Sequence, residues 1–263
     1  MFKIQNPRFN VGRVQLTVNH ELRTLTSDSD FGVPIPGRVL PPEAWAKTAI
    51  KRLPPPGPLD WSTLFGRTAP VVLDLGCGNG RFIITSALAR PDLDHLGVDI
   101  LPLVIRYATK RANQRGLANV RLAVIGGYEL LDQYVAPGSV AEIHIYHPQP
   151  YRAAPEHHRR LITPEFLALV HRSLSPGGLF VLQTDNRAYW QYLRRAVPHL
   201  FDFEELDGPW PDAPRGRTRR EIYARQHNLK IFRGQGRPRP HLSPEQIVEF
   251  IRSQPAPDFD ARR

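Results

Sequence analysis

Cysteine is almost absent from this sequence. A single one, Cys77, stands among 263 residues. That excludes an internal disulfide framework and a multi-cysteine zinc site. Long apolar runs are also missing, since no stretch approaches the roughly 20 residues a membrane helix needs. The N-terminus, Met1-Phe2-Lys3-Ile4-Gln5-Asn6-Pro7, lacks the apolar segment of a secretory signal. A cytoplasmic protein with no membrane partner is the expectation. His144, His147, His157 and His158 fit no zinc spacing, so no metal is expected. Internal repeats are absent, and a monomer is the simplest expectation.

What is present suffices for one large α/β domain with appendages, since 41% of the residues are hydrophobic. The net charge of +10 is unevenly spread. Between Arg215 and Arg239 stand nine basic residues against one acid, Glu221. Such a stripe suits a phosphate backbone. It is equally the composition of a solvated arginine-rich surface.

Residues 1–60 read as an irregular extension, punctuated by Pro34, Pro36, Pro41, Pro42, Pro54, Pro55, Pro56 and Pro58. One short helix is predicted there, over Pro42–Leu53, with proline at its start. Residues 61–237 alternate strand and helix. Strands are predicted at Val71–Leu75, His95–Ile100, Val120–Ile125, Val140–Tyr146 and Leu179–Thr184. Helices are predicted at Arg81–Arg90, Leu103–Arg115, Glu129–Tyr134, Arg159–Leu174 and Asn186–Val197. Short apolar runs between helices indicate βαβ units and a parallel sheet. Ser175-Pro176-Gly177-Gly178 reads as a sharp helix stop. Phe201–Leu206 and Ile222–Phe232 are predicted to close the sheet as an antiparallel pair. The fold class is thus a doubly wound, mostly parallel, Rossmann-like α/β sheet. Residues 238–263 form a tail with one helix, Pro244–Arg252, capped by Ser243.

The densest signal is Asp74-Leu75-Gly76-Cys77-Gly78-Asn79-Gly80. It joins a predicted strand to a predicted helix, the layout of a nucleotide-type site at a sheet edge. Gly76, Gly78 and Gly80 alternate as G-x-G-x-G, whereas the dinucleotide fingerprint is G-x-G-x-x-G. Asp74 would repel a pyrophosphate and suits a cation. S-adenosylmethionine carries a sulfonium and an ammonium and no phosphate, so the loop reads as a methyl-donor site. Asp99 ends the next strand, where an acid can accept hydrogen bonds from both ribose hydroxyls. It could also serve as a helix cap before Pro102.

Four further segments carry candidate chemistry. Thr184-Asp185 ends a later strand, facing the crevice where open α/β sheets bind ligands. A cap on the following helix is its alternative. Thr218-Arg219-Arg220-Glu221 lies in the basic segment, with Glu221 either a substrate ligand or an ion-pair partner. His147-Pro148-Gln149-Pro150-Tyr151 forms a stiff loop at the active edge. His157-His158-Arg159-Arg160 is expected to open a helix whose positive end meets phosphate.

In order and spacing, these motifs resemble the bacterial tRNA (guanine-N7)-methyltransferases, class I methyltransferases that modify position 46 of tRNA. The resemblance runs from Leu53 to Arg237 and takes in Asp60-Trp61, Phe65-Gly66, Gly116–Arg121 and Pro176-Gly177-Gly178 besides the motifs above. It implies that Asp74, Gly76, Gly78, Gly80 and Asp99 bind S-adenosylmethionine. It also implies that Asp185, Thr218, Arg219, Arg220 and Glu221 hold the guanine. Arg159, Arg160 and the basic stripe would hold the tRNA backbone. The family signature F-P-D-P-W reads here His147-Pro148-Gln149-Pro150-Tyr151, with Ala153 in place of a lysine and Pro155-Glu156 within the basic run. Gln149 thus stands where the family has its catalytic aspartate. The acid or amide expected near Gly126-Gly127 is missing as well.

Loss of that carboxylate does not forbid the reaction. Guanine N7 already exposes a lone pair, so no base need remove a proton. Alignment and stabilisation of the developing positive charge are the requirements. Gln149 can accept a hydrogen bond without supplying charge. The difference between charged and neutral hydrogen bonds is about 1–2 kcal/mol, or about 5–30-fold in rate. Asp185 and Glu221 are the acids left to share the role. The alternatives are an RNA-binding protein with weak or lost turnover and a methyltransferase for another substrate.

Overall fold

The structure, a computed structural model, describes residues 27–262. Its centre is a seven-stranded sheet in the order β5-β4-β3-β6-β7-β9-β8. The strands are β3 (Val71–Leu75), β4 (Asp94–Asp99), β5 (Val120–Val124), β6 (Val140–Tyr146), β7 (Leu174–Thr184), β8 (Phe201–Glu205) and β9 (Phe232–Pro238). The first five are parallel, and β9 runs antiparallel to both β7 and β8. A two-residue pair, β1 (Ser29–Asp30) with β2 (Val33–Pro34), precedes them as a separate hairpin.

Both faces of the sheet are covered, which is why its strands read as continuous apolar runs. All five residues of β3 are buried. On one face, α2 (Arg81–Ala89) and α3 (Pro102–Gln114) bury Ile83, Ile84, Ala87, Ile105, Ala108 and Ala112 against Val120 and Leu122. On the other, α4 (Gly127–Gln133), α5 (Pro164–Ser173) and α6 (Arg187–Ala196) deliver Leu130, Phe166, Val170, Tyr189 and Leu193 onto Leu73, Ile143 and Leu182. Each fully buried Leu or Phe contributes about 2 kcal/mol. Gly97 sets the approach of α2, since a Cβ there would lie 2.8 Å from both Ile83 and Leu122. The chain also carries α1 (Trp61–Phe65), α7 (Arg219–Gln226) and α8 (Pro244–Ser253).

Four expectations change. Pro42–Leu53 is no α-helix: only Pro42–Ala44 turns, as a 3-10 helix. Beyond it the chain runs extended along β5, where Ile50 N donates to Leu122 O and Leu122 N to Thr48 O, both at 2.8 Å. Edge pairing outweighs local helix propensity here. Ser175–Gly178 lies inside β7 rather than stopping a helix, and a register shift between Val140 and Glu142 absorbs it. The predicted strand Ile222–Phe232 is helix α7 followed by β9. Thr218 Oγ1 caps Glu221 N at 3.0 Å and starts the helix. The antiparallel strand then falls where Gly236 fits, since a Cβ there would meet Asp202 O at 2.7 Å. Last, His157–Arg159 close a 3-10 helix (Ala154–Arg159), and α5 begins later, behind its Thr163 cap. The first 26 residues of the expected irregular extension lie outside the described residues. Among the described residues, no helix is long and apolar enough to cross a membrane.

Candidate active site

At the carboxyl end of β3 the chain must turn sharply to enter α2. Gly76 N and Cys77 N both donate to Val98 O, at 2.8 and 2.9 Å. Gly76, Gly78 and Gly80 all adopt left-handed φ, at 86°, 52° and 82°. That alternation is open to glycine and costly for other residues. Gly80 also lets α3 close in, since a Cβ there would lie 2.8 Å from the Ala108 Cβ.

Two acids sit at this turn. Asp74 is 2% exposed, and no hydrogen-bond partner for its carboxylate stands among the described residues. Burial, then the nearby Asp99, pushes its pKa well above the ordinary value. Asp99 Oδ2 accepts from Gly78 N at 3.1 Å and Oδ1 from Leu101 N at 3.0 Å. Burial raises the Asp99 pKa against those hydrogen bonds. It therefore closes the turn into α3 and keeps lone pairs for a ligand.

The opposite wall follows β6 and β7. His147 takes a left-handed φ of 53° directly after β6. Its Nδ1 lies 2.9 Å from Asp185 Oδ1 and its Nε2 2.9 Å from Gln183 Nε2. Arg220 Nη2 and Nε reach Asp185 Oδ2 at 2.5 and 3.0 Å. Burial opposes the charge of Asp185, but the hydrogen bonds from His147 and Arg220 outweigh it and hold the pKa well below the carboxylate range. Asn186, not Asp185, caps α6, accepting from Tyr189 N at 2.8 Å. Asp185 is thus free to face the cleft.

The two walls enclose one cleft of about 850 Å³. Of the residues singled out in the sequence, Asp74, Gly76, Gly78, Asp99, Gln149, Asp185, Thr218, Arg219 and Arg220 line it. Gln149 is exposed at its mouth. Gly80, Glu221, Arg159 and Arg160 are not brought to it. Glu221 is fully buried behind the wall. It accepts from Arg217 N at 2.8 Å, Gln183 Nε2 at 3.2 Å, and Arg233 and Arg225 at 2.9 Å each. Its ion-pair reading matches these bonds, and it does not line the cleft as a guanine ligand was expected to. Arg160 is 2% exposed and, among the described residues, bonds backbone carbonyls rather than facing the cleft where a phosphate contact was expected. Arg159 pairs with Glu156 at 2.8 Å and lies over the Tyr151 ring.

Much of the basic stripe is paired within the protein, although five of its nine members, Arg215, Arg220, Lys230, Arg237 and Arg239, stay exposed. Arg217 binds Asp212 and Tyr146, Arg233 is buried on Glu221, Arg237 bonds Gly177 O, and Arg239 pairs with Asp202. Among the described residues, no group of three His, Cys, Asp or Glu side chains is placed to hold a metal ion.

Several residues escaped the sequence reading. Gln183 joins His147 to Glu221, and its Oε1 accepts from Trp210 Nε1 at 2.6 Å. Asp30, fully buried, accepts from Asn79 Nδ2 at 2.8 Å and Arg81 Nη1 at 3.2 Å. It thereby ties the β1–β2 hairpin to the glycine loop. Only an acid in an otherwise polar stretch, Ser27-Asp28-Ser29-Asp30, hinted at it.

A methyltransferase family model, Methyltransf_4, matches residues 68–235. The tRNA (guanine-N(7)-)-methyltransferase of Alcanivorax borkumensis is 30% identical over 190 residues, covering 72% of this chain and 79% of that one. Its counterpart in Alkalilimnicola ehrlichii is 31% identical over 172 residues, covering 65% and 73%. That of Halorhodospira halophila is 35% identical over 173 residues, covering 64% and 75%. Among solved structures, the 16S rRNA methyltransferase KamB shares the fold, with a TM-score of 0.54 at 16% identity over 74% of this chain and 99% of that one. The glycine loop, the two acids of the first wall and the Asp185 wall all fall within the matched residues, and the chain belongs to this methyltransferase family, alongside the tRNA (guanine-N(7)-)-methyltransferases it resembles.

Proposed function

We propose that this protein transfers the methyl group of S-adenosylmethionine to N7 of a guanine in tRNA, at position 46. The observation that carries the reading is the meeting of the Asp74–Asp99 wall and the Gln149–Asp185 wall in one cleft. The names of the relatives support the substrate.

The residues fit the donor. Asp74 offers a cation a buried carboxylate with no hydrogen-bond partner among the described residues, and Asp99 retains lone pairs for ribose hydroxyls. Gly76 and Gly78 keep the loop free of side chains beside them. When bound, S-adenosylmethionine supplies an electrophilic methyl group on a positively charged sulfur.

The remaining work falls to the acceptor wall. Asp185 can accept from the guanine N1–H and exocyclic amine through lone pairs that His147 and Arg220 leave open. Its charge stabilises the positive ring as N7 is alkylated. Gln149 contributes an amide oxygen at the mouth. Arg219 and Arg220, at the amino end of α7, face the entrance where a phosphate passes. No general base is needed, because the N7 lone pair carries no proton.

The test is direct. Purified protein, labelled donor and bulk tRNA should yield 7-methylguanosine after nuclease digestion, and a tRNA with adenine at position 46 should not. No incorporation above a heat-inactivated control refutes the reading. Salt-dependent tRNA binding without incorporation favours a protein with lost turnover, for which the uncharged Gln149 speaks.

A further inference from the structure

The family match ends at residue 235, yet the chain continues into α8 and a tail. Phe250, on α8, is 5% exposed, belongs to the main core and packs on the His199 ring with centroids 5.6 Å apart. The helix thus anchors the tail, which then runs back to the acceptor side of the cleft.

Arg160 marks where it arrives. This buried guanidinium makes no salt bridge with a carboxylate among the described residues. It bonds four carbonyl oxygens instead: Pro150 at 2.7 Å, Tyr151 at 3.0 Å, Pro257 at 2.6 Å and Phe259 at 2.8 Å. Two belong to the Gln149 loop and two to the tail. The guanidinium also stacks 3.7 Å over the Phe259 ring, and that ring packs on Tyr189 with centroids 5.1 Å apart.

Two further bonds hold the tail to the same wall. Asn186, next to Asp185 and lining the cleft, donates to Ala261 O at 2.8 Å. His157, on the turn below the loop, lies 2.9 Å from Asp258. The tail therefore grips three segments: the Gln149 loop, the turn after it, and the residue following Asp185.

The loop needs holding. His147 and Tyr151 both take left-handed φ, at 53° and 37°. Such conformations are strained for non-glycine residues and persist only where the surroundings fix them. Asp185 and Gln183 fix the His147 end. Arg160 fixes the other end, and half of its acceptors come from the tail. A buried guanidinium that loses them must find water, and it would carry Pro150 and Tyr151 with it.

We propose that the C-terminal tail, Pro257–Ala261, is a brace of the acceptor loop, and that Arg160 and Phe259 are positioning residues for methyl transfer. The inference rests on the reading above for its kinetic consequence. Its structural consequence, a held loop, stands apart from that reading.

The experiment uses the full chain, a truncation lacking residues 254–263, and the variants Phe259→Ala and Phe259→Tyr. Three quantities are read: methyl transfer to tRNA, S-adenosylhomocysteine affinity by calorimetry, and amide exchange of Gln149 and Tyr151–Ala153. The truncation and Phe259→Ala should lower kcat on the order of tenfold, as displaced catalytic groups do. They should speed exchange in the loop and leave donor-site affinity unchanged. Phe259→Tyr should restore both rate and protection. Where the truncated chain does not fold, Phe259→Ala decides. Unchanged loop exchange in a folded Phe259→Ala protein overturns the brace, and so does a fall in donor affinity parallel to the fall in kcat. A wild type that transfers no methyl group refutes the proposed function, while the exchange measurement still decides the brace.

Discussion

His147 Nδ1 faces Asp185 Oδ1 at 2.9 Å, and the network behind them determines which atom holds the proton. Trp210 Nε1 and Arg233 Nε can only donate, and both point at Gln183 Oε1. The Gln183 amide nitrogen must therefore face Glu221 Oε2 and His147 Nε2. His147 Nε2 accepts, so its Nδ1–H donates to Asp185. A tryptophan and an arginine remote from the cleft thus set the direction of a hydrogen bond inside it.

Removing that bond tests its worth. His147→Phe restores the family residue but takes away the donor. We expect methyl transfer to fall by about 10–100-fold, since a hydrogen bond to a charged group is worth about 1.5–3 kcal/mol. In a double-mutant cycle with Asp185→Asn the two losses should be far from additive. Additive losses would show that His147 acts independently of Asp185.

Asp74 should trade stability for binding. Its pKa is raised in the folded chain, mainly by burial and then by Asp99, so the unfolded chain holds the charge more easily. The folded state therefore gains relative stability as pH falls and loses it at neutral pH. Asp74→Asn should raise the melting temperature of the ligand-free protein. It should also weaken S-adenosylhomocysteine binding by about 30–100-fold. Lower stability together with unchanged affinity would contradict both halves.

Charge restored to the loop should help. Gln149→Asp places a carboxylate at the mouth of the cleft, where the relevant energy is about 1–2 kcal/mol, and turnover should rise about 5–30-fold. Single-turnover rates with saturating donor measure this directly.

Acid should weaken the fold well before the carboxylates titrate in bulk. Burial, then Arg90, lowers the His95 pKa from 6.5 to about 3. The folded chain keeps His95 neutral while the unfolded chain takes up a proton, so stability falls from pH 6.5 down towards 3. Glu142 acts in the same direction lower down. Burial opposes its charge, but hydrogen bonds from His144 and Arg90 hold its pKa at about 2, so its contribution is lost from pH 4.5 downward. In the Asp74→Asn background, where the opposing contribution of Asp74 is gone, urea midpoints should decline from pH 7.5 through 6 to 5, and adding His95→Gln should flatten that decline.

Glu221 should behave as a structural acid. Glu221→Gln leaves Arg225 and Arg233 beside a neutral amide, and loss of one partner of a buried pair costs about 3–5 kcal/mol. Urea unfolding reads this, and an unchanged midpoint would show that its pairs with Arg225 and Arg233 add little to stability.

The legible parts of this molecule were those that local physics decides alone. The β-branched run Val71-Val72-Leu73 ahead of a glycine turn reads as a strand buried on both faces, and three alternating glycines as a turn with left-handed φ, and both are what the structure has. Asp99 and Asp185 were placed by the rule that ligands meet the carboxyl ends of parallel strands. What failed depended on partners distant in sequence. The segment around Ala49 is extended because Leu122 pairs with it, and nothing within residues 42–53 says so. Arg160 and Arg159 look identical in sequence, yet one is a buried hub and the other lies over Tyr151. Gln183 sits in an apolar strand and gives no hint that Trp210, His147 and Glu221 converge on it.

The pairing of the arginines has a consequence for how RNA would be felt at a distance. Nucleic-acid binding gains free energy from the counterions that each phosphate contact releases, and the slope of affinity against salt counts those contacts. An arginine already committed to Glu221, Asp212 or Asp202 has its counter-charge built into the protein. The slope for tRNA should therefore be much shallower than nine basic residues between Arg215 and Arg239 would give. Selection of the RNA then depends less on long-range attraction than on contacts made within the cleft.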